Sequence, residues 1–211
     1  MWRYREMMFE GEPPNLVGKY SGTLLVVGGG RCVFKDIAKY TGDSGTGTFT
    51  GLRRWQESGS HDVMAVNDIG QWLTCKIEHW CSLHADHLMN WMTLRRHHGL
   101  NCDAIQTHGH KEKPGIDNPW PMVPNMGGLS GLYAAMLGVL LGYEKVVLAG
   151  IPCDGTGRFY DPPDSGGMHG ERSIITAWEE NMNCYPEMKE YVTSLSGYTR
   201  EVLGGPDGIG R

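Results

Sequence analysis

The first strong pattern in the chain is a buried strand followed by glycines and then a helix. Residues 23–27 (TLLVV) are almost continuously apolar, and Gly28, Gly29 and Gly30 follow directly. Val33, Phe34 and Ile37 then recur at helical spacing. A continuous rather than alternating apolar run is typical of a central strand in a parallel sheet, because helices cover both faces of such a sheet. The pattern therefore predicts a strand–turn–helix unit at the start of the domain.

The same alternation recurs along the chain and predicts an α/β fold. Further strands are predicted at 62–66, 77–83, 103–106 and 145–149, with a last edge strand at 197–203, and helices at 88–99, 129–141 and 171–182. Two glycine- and proline-rich stretches, 108–128 and 151–170, are predicted to be mobile loops. We expect a single Rossmann-like domain over residues 1–211, with its core at about 23–203. It should contain an open, mostly parallel sheet with helices on both faces.

Composition and charge exclude several classes of protein. The formal net charge is −5 and no run of Lys or Arg exceeds two residues, which argues against binding to a nucleic-acid duplex. No apolar stretch reaches 18 residues, so no transmembrane segment is predicted. The first residues lack the apolar region of a secretory signal. The six cysteines form no CxxC pair, and we predict free thiols in a cytoplasmic protein.

The candidate binding residues come directly after predicted strands, where ligands bind in open parallel sheets. Gly28, Gly29 and Gly30 would let a phosphate or sugar approach the backbone, or they form a tight turn without a ligand. Asn67 and Asp68 follow the second strand. The Asn67 amide can donate to and accept from a base or ribose, but an Asn-Asp pair also favours a simple turn.

Two further segments supply polar groups beside predicted helices. Ser130 and Gly131 open the most apolar helix, where the serine either caps the helix or donates to a bound phosphate. Their surroundings, GGLSG, do not match the GxSxG turn of serine hydrolases. His169 lies in a GGMHG segment and is either a general base or an exposed loop histidine.

The remaining histidines and aromatic residues have more ordinary interpretations. Seven of the nine histidines lie between residues 79 and 110, and His84 and His87 could share a helical face with Asp86 or Asp103 nearby. No HExxH spacing is present, so we interpret them as surface and loop residues and predict no metal and no cofactor. Exposed side chains in the 118–126 loop could form an acceptor platform, a lid or a homo-oligomer contact; they are Trp120, Met122 and Met126.

Two segments resemble a known group of enzymes. Residues 130–135 (SGLYAA) and 141–150 (LGYEKVVLAG) are similar to the SG…A…LGY-K-(I/V)-x-L-x-G stretch of bacterial lipo-oligosaccharide sialyltransferases, motility-associated glycosyltransferases and 6-hydroxymethylpterin diphosphokinase-like proteins. The order and rough spacing of the motifs match those of the sialyltransferases over about residues 23–182. The resemblance implies metal-independent transfer of a sugar from a nucleotide donor, CMP-linked donors included. It further implies His169 as general base and Tyr160 as a hydrogen-bond donor to the leaving phosphate.

This sequence departs from the family pattern at two positions, which leaves the identity of the ligand open. Gly29 stands where the sialyltransferases have an Asn that contacts the donor, and Gly127 stands where they have an Arg. The loss of that cation disfavours a sialic acid carboxylate as the cargo. The partners we expect are a nucleotide sugar and a small or glycan acceptor. One alternative is a Mg²⁺-dependent diphosphokinase acting on a small hydroxyl compound, with Asp68, Asp86, Asp154 and Asp161 as candidate ligands. Another is a nucleotide-binding module without catalysis.

Overall fold

A single parallel sheet organises the protein. The structure is a computed structural model that describes residues 12–42, 49–59, 61–122, 129–164 and 171–207. Within these ranges seven strands pair in the order β5-β4-β3-β2-β1-β6-β7, and every neighbouring pair is parallel. The strands are β1 (Thr23–Val27), β2 (His61–Val66), β3 (His79–Cys81), β4 (Gln106–Gly109), β5 (Asn118–Pro119), β6 (Lys145–Ala149) and β7 (Val192–Ser194). The predicted Rossmann-like α/β class is confirmed.

Helices cover both faces of the sheet. They are α1 (Val33–Thr41), α2 (Thr50–Glu57), α3 (Ala85–His97), α4 (Ser130–Leu141), α5 (Glu171–Cys184), α6 (Met188–Tyr191) and α7 (Gly197–Leu203), with a 3-10 turn at Asn67–Gln71. Leu25 and Val27 of β1 pack in one core with side chains of α1, α2 and α3. Leu24 and Val26 point the other way, into a core formed with α4, α5 and α6. None of the described helices is long and apolar enough to cross a membrane.

The strand order places a crevice beside β1. The chain moves outward from β1 to β5, and α4 then returns it to β6 on the opposite side of β1. In doubly wound sheets the point where the order reverses leaves space outside the carboxyl ends of the two central strands. The segments after β1 and β6 therefore face each other across this crevice.

The segment predicted as the last edge strand is a helix. Residues 197–203 form α7, and the edge strand is Val192–Ser194, which pairs with β6. Thr199 and Leu203 are both buried and lie four residues apart, so the spacing of the buried positions is helical rather than alternating. The prediction was wrong because short apolar runs fit either period.

The region between α3 and α4 also differs from its prediction. The fourth strand is Gln106–Gly109 rather than 103–106, and β5 lies inside the stretch predicted to be a loop. Trp120 is only 1% exposed, so it is not a surface platform. Met122 is partly buried against the core of the α4 face, and Met126 lies outside the described residues.

Two histidines predicted to lie on the surface or in loops are buried and hydrogen-bonded. Trp120 Nε1 donates to His108 Nδ1 at 3.0 Å, so the proton of neutral His108 is on Nε2, which lies 3.0 Å from His79 Nδ1. His79 Nε2 in turn lies 2.9 Å from the Tyr143 hydroxyl, which bonds to Asp62. Because tryptophan N–H can only donate, it determines both tautomers. Burial lowers the pKa of His79 to about 4 and that of His108 well below its ordinary value.

Candidate functional site

A cleft of about 300 Å³ lies at the carboxyl ends of β1 and β6. Four of the predicted donor-binding residues line it together: Gly30, Asn67, Ser130 and Gly131. Asp154 and Asp161, two candidate ligands of the diphosphokinase alternative, line it as well. Gly28, Gly29, Asp68 and Tyr160 lie around it but are not part of its lining. His169 lies outside the described residues. The lining also includes Cys153 and Arg158, which the sequence did not suggest, and His84, which was interpreted there as a surface or loop residue.

The glycine turn after β1 is shaped by contacts within the protein. A Cβ atom on Gly28 would lie 2.5 Å from Ile151 Cγ1, and one on Gly30 would lie 2.6 Å from Pro152 Cδ. Gly29 is different, because its nearest neighbour would be Asp68 Oδ1 at 3.9 Å. Packing against the segment after β6 is therefore sufficient to explain two of the three glycines, while the third has open space beside it.

The loop after β6 is attached to this turn. Phe159 N donates to Gly29 O at 2.9 Å, and Arg158 forms an antiparallel bridge with Gly30. The Arg31 guanidinium donates to the carbonyl oxygens of Thr156 and Pro162. The described part of the 151–170 loop therefore closes one side of the cleft.

A hydrogen-bonded cluster of three side chains lies at the rim. Arg158 Nη1 is 3.0 Å from Asp68 Oδ2, and the Tyr160 hydroxyl contacts both side chains. Asp68 is 6% exposed, so this ion pair is shielded more than an ordinary surface pair. Burial, and next the hydrogen bond to Asp68, raise the pKa of Tyr160 to about 12. The phenol thus keeps its proton at neutral pH and remains a hydrogen-bond donor.

Asn67 reaches the cleft through an unusual backbone conformation. Its φ is +57°, in the left-handed region that asparagine tolerates better than most residues. Its carbonyl accepts from Trp80 Nε1 at 2.6 Å, and its Oδ1 accepts from Ser82 Oγ at 2.8 Å. These bonds fix the amide oxygen and direct the chain from β2 into the 3-10 turn.

The first turn of α4 forms the opposite wall. The first intrahelical bond runs from Tyr133 N to Leu129 O at 2.9 Å, so the N–H groups of Ser130, Gly131 and Leu132 precede it. Ser130 is the first residue of the helix rather than its cap, and its Oγ accepts from Leu83 N at 3.5 Å. A Cβ on Gly131 would lie 2.8 Å from Ile151 Cγ2, so the glycine permits close packing of α4 on the segment after β6.

Asp36 is a buried carboxylate that the sequence did not single out. Its Oδ2 accepts from Gly150 N at 2.9 Å and from Ser196 Oγ at 2.7 Å. It therefore joins α1 to the end of β6 and to the segment between β7 and α7. An acidic residue in a helical pattern is usually exposed, so only the folded arrangement shows this role.

The thiol of the cleft is a poor nucleophile, and its carboxylates already accept hydrogen bonds. Burial raises the pKa of Cys153 to about 12, so its thiol is protonated at neutral pH and is a poor nucleophile. All six cysteines are free thiols, as predicted. Asp154 accepts from Thr156 N and Oγ1, and Asp161 accepts from Arg158 N. Among the described residues, no three His, Cys, Asp or Glu side chains are grouped to hold a metal ion.

The comparison with solved structures agrees with the architecture. The crystal structure of the sialyltransferase CST-II in complex with trisaccharide acceptor and CMP matches with a TM-score of 0.52 and 13% sequence identity. The match covers 90% of this chain and 88% of that chain. No protein-family model and no curated protein matches the sequence. At this identity the likeness defines a sialyltransferase-like fold, and it supports no likeness to the diphosphokinases.

Proposed function

We propose that the protein is a glycosyltransferase that moves a sugar from a nucleotide donor to an acceptor hydroxyl. The observation that supports this most is the convergence of Asn67, Arg158 and the first turn of α4 on one cleft, in a sialyltransferase-like fold. The matched sialyltransferase was crystallised with CMP and a trisaccharide acceptor. A CMP-linked sugar is accordingly the first candidate donor.

The donor phosphate would lie at the start of α4. Helix N-termini attract anions through their unpaired N–H groups and the positive end of the helix dipole. Among the described lining residues Arg158 carries the only permanent positive charge, and it would face the same phosphate. The Asn67 amide would contact the base or ribose, and Gly29 would leave room beside the turn.

Departure of the nucleotide would be assisted by hydrogen-bond donors. Tyr160 would exchange its bond to Asp68 for one to the leaving phosphate, which a protonated phenol can make. Donors that face a developing charge stabilise the transition state without rearranging during the reaction. His169 would remove the proton of the acceptor hydroxyl. No resident metal or cofactor enters this scheme.

Donor hydrolysis tests the proposal without knowledge of the acceptor. We expect the protein to release CMP from a CMP-sugar with water as acceptor, and His169→Ala to slow this release by about 10²–10⁴-fold, the usual contribution of a general base. The control is His97→Ala, which removes an exposed histidine of α3 and should leave the rate unchanged. Near-normal release by His169→Ala would contradict the assigned base. Failure to consume CMP-, UDP- or GDP-sugars would contradict the transferase itself.

A further inference from the structure

A second cavity adjoins the cleft and has more basic than acidic side chains in its lining. It has a volume of about 290 Å³ and lies between the end of β4 and the start of α3. His84 lines both cavities, so the two are neighbours on the same edge of the sheet. We call the second cavity the basic pocket; its ionisable lining residues are His84, Asp86, His87, His110, Lys111 and Lys113.

The positive charge of the basic pocket is only partly compensated. Lys113 Nζ lies 3.0 Å from Asp86 Oδ1, but both side chains are well exposed and such surface pairs contribute little. A ligand anion can therefore replace Asp86 at small cost, and the charge of Lys111 adds to the attraction. The first turn of α3, which begins at Ala85, borders the same cavity and has no side-chain cap.

One histidine of the basic pocket has an unpaired ring nitrogen within the described part of the chain. His110 Nδ1 is buried and has no hydrogen-bond partner among the described residues, so the protein does not lock this ring in one orientation. Burial, and next the charges of Lys111 and His84, lower the pKa of His110. The rings of His84 and His87 are 6.4 Å apart, and no described group of ligands here can hold a metal ion. The chemistry therefore favours an anion over a cation.

We propose that the basic pocket binds the carboxylate or phosphate of an acidic acceptor, and that the acceptor hydroxyl then extends past His84 into the donor cleft. This inference rests on the proposed transferase function. It names the substrate class: an acceptor with a free hydroxyl and an anionic group on the neighbouring sugar or carbon chain. A volume near 300 Å³ is at the lower end for small-ligand sites, which suits a single acidic unit.

Binding of three matched sugars tests the proposal. With saturating CMP present, galactose 6-phosphate should bind at least tenfold more tightly than galactose by isothermal titration calorimetry. Galacturonate shows whether a carboxylate is accepted in place of a phosphate. The double variant Lys111→Gln/Lys113→Gln should reduce the preference for the anion to less than threefold, and Lys111→Arg/Lys113→Arg should restore it.

The control variant removes two lysines that line neither cavity. Lys35→Gln/Lys145→Gln changes the net charge equally and should keep the full preference. Equal affinity for galactose and its phosphate, or an unchanged preference in Lys111→Gln/Lys113→Gln, would contradict anion binding by the basic pocket. CMP binding would be unaffected by this result. If the wild-type protein does not bind CMP, the proposed transferase function is contradicted, and the acceptor role with it.

Discussion

Two kinds of glycine follow β1, and they differ in what surrounds them. Gly28 and Gly30 are pressed against the chain after β6, whereas Gly29 has no atom nearer to its missing Cβ than a carboxylate oxygen at 3.9 Å. Space for a side chain therefore exists at the middle glycine only, although Gly30 is the glycine that lines the cleft. The open geometry is compatible with a side chain at this position, as the resemblance described above implies.

Alanine substitutions separate the two kinds of glycine. Gly28→Ala should lower the free energy of unfolding by about 1–3 kcal/mol, because the new methyl group would overpack Ile151 and the Gly150 carbonyl. Gly29→Ala should change it by less than about 0.5 kcal/mol. Urea denaturation of both variants provides the measurement. Equal destabilisation would show that the turn is constrained along its whole length.

Site residues that follow strands or begin helices are predictable from the sequence. Gly30, Asn67, Ser130 and Gly131 meet in one cleft because parallel strands end at the same edge of the sheet. Arg158 and Asp36 were missed because their partners Asp68 and Gly150 are 90 and 114 positions away. Such pairs depend on tertiary packing, and no local pattern indicates them.

Among the elements, β1 and β6 were predicted with their observed bounds because four consecutive residues of each are apolar and buried. Elements at the two edges of the sheet are harder to predict. The strands β5 and β7 have two and three residues, so they are too short to show a period, and the predicted strand at 197–203 is the C-terminal helix α7. Tertiary pairing rather than intrinsic propensity decides such segments.

Asp36 joins three elements beside the cleft, and its removal should destabilise the fold. Asp36→Ala should lower the free energy of unfolding by about 2–4 kcal/mol, because the buried Gly150 N–H loses a charged acceptor. Asp36→Asn keeps one acceptor oxygen and should cost less. Exposed Glu144 offers a control, since Glu144→Ala should remain within about 0.5 kcal/mol of the wild type. Similar values for Asp36→Ala and Glu144→Ala would contradict the assigned role.

For the whole molecule, the buried histidines predict a loss of stability in mild acid. The pKa of His79 is lowered in the folded state, so its contribution is complete above about pH 6.5 and is lost as the pH falls toward 4. A folded pKa of about 4 implies a loss of about 2 kcal/mol at pH 5, and His108 adds to it.

Urea denaturation at pH 7 and pH 5 measures this effect. The variant His79→Gln should show a smaller difference between the two pH values, whereas His97→Gln, on an exposed part of α3, should match the wild type. If His79→Gln does not fold, NMR titration of the wild-type imidazoles gives the same information. A wild type equally stable at both pH values, or a His79 that titrates near 6.5, would contradict the buried network.

Every role proposed for the cleft requires that it bind a nucleotide, and a thermal-shift experiment measures this binding. The panel is CMP, UMP, GMP, AMP, ATP and their sugar conjugates, each with and without Mg²⁺. At 100 times its Kd a ligand should stabilise the protein by about 2.7 kcal/mol, several degrees for a chain of this length. We predict a shift with one nucleoside monophosphate, CMP first, that does not require Mg²⁺.

Arg158→Gln should abolish the shift. Arg96→Gln, a matched change at an exposed position of α3, should retain it. No shift with any nucleotide, or equal shifts in the two variants, would contradict the account, and a shift only with ATP and Mg²⁺ would favour a diphosphokinase.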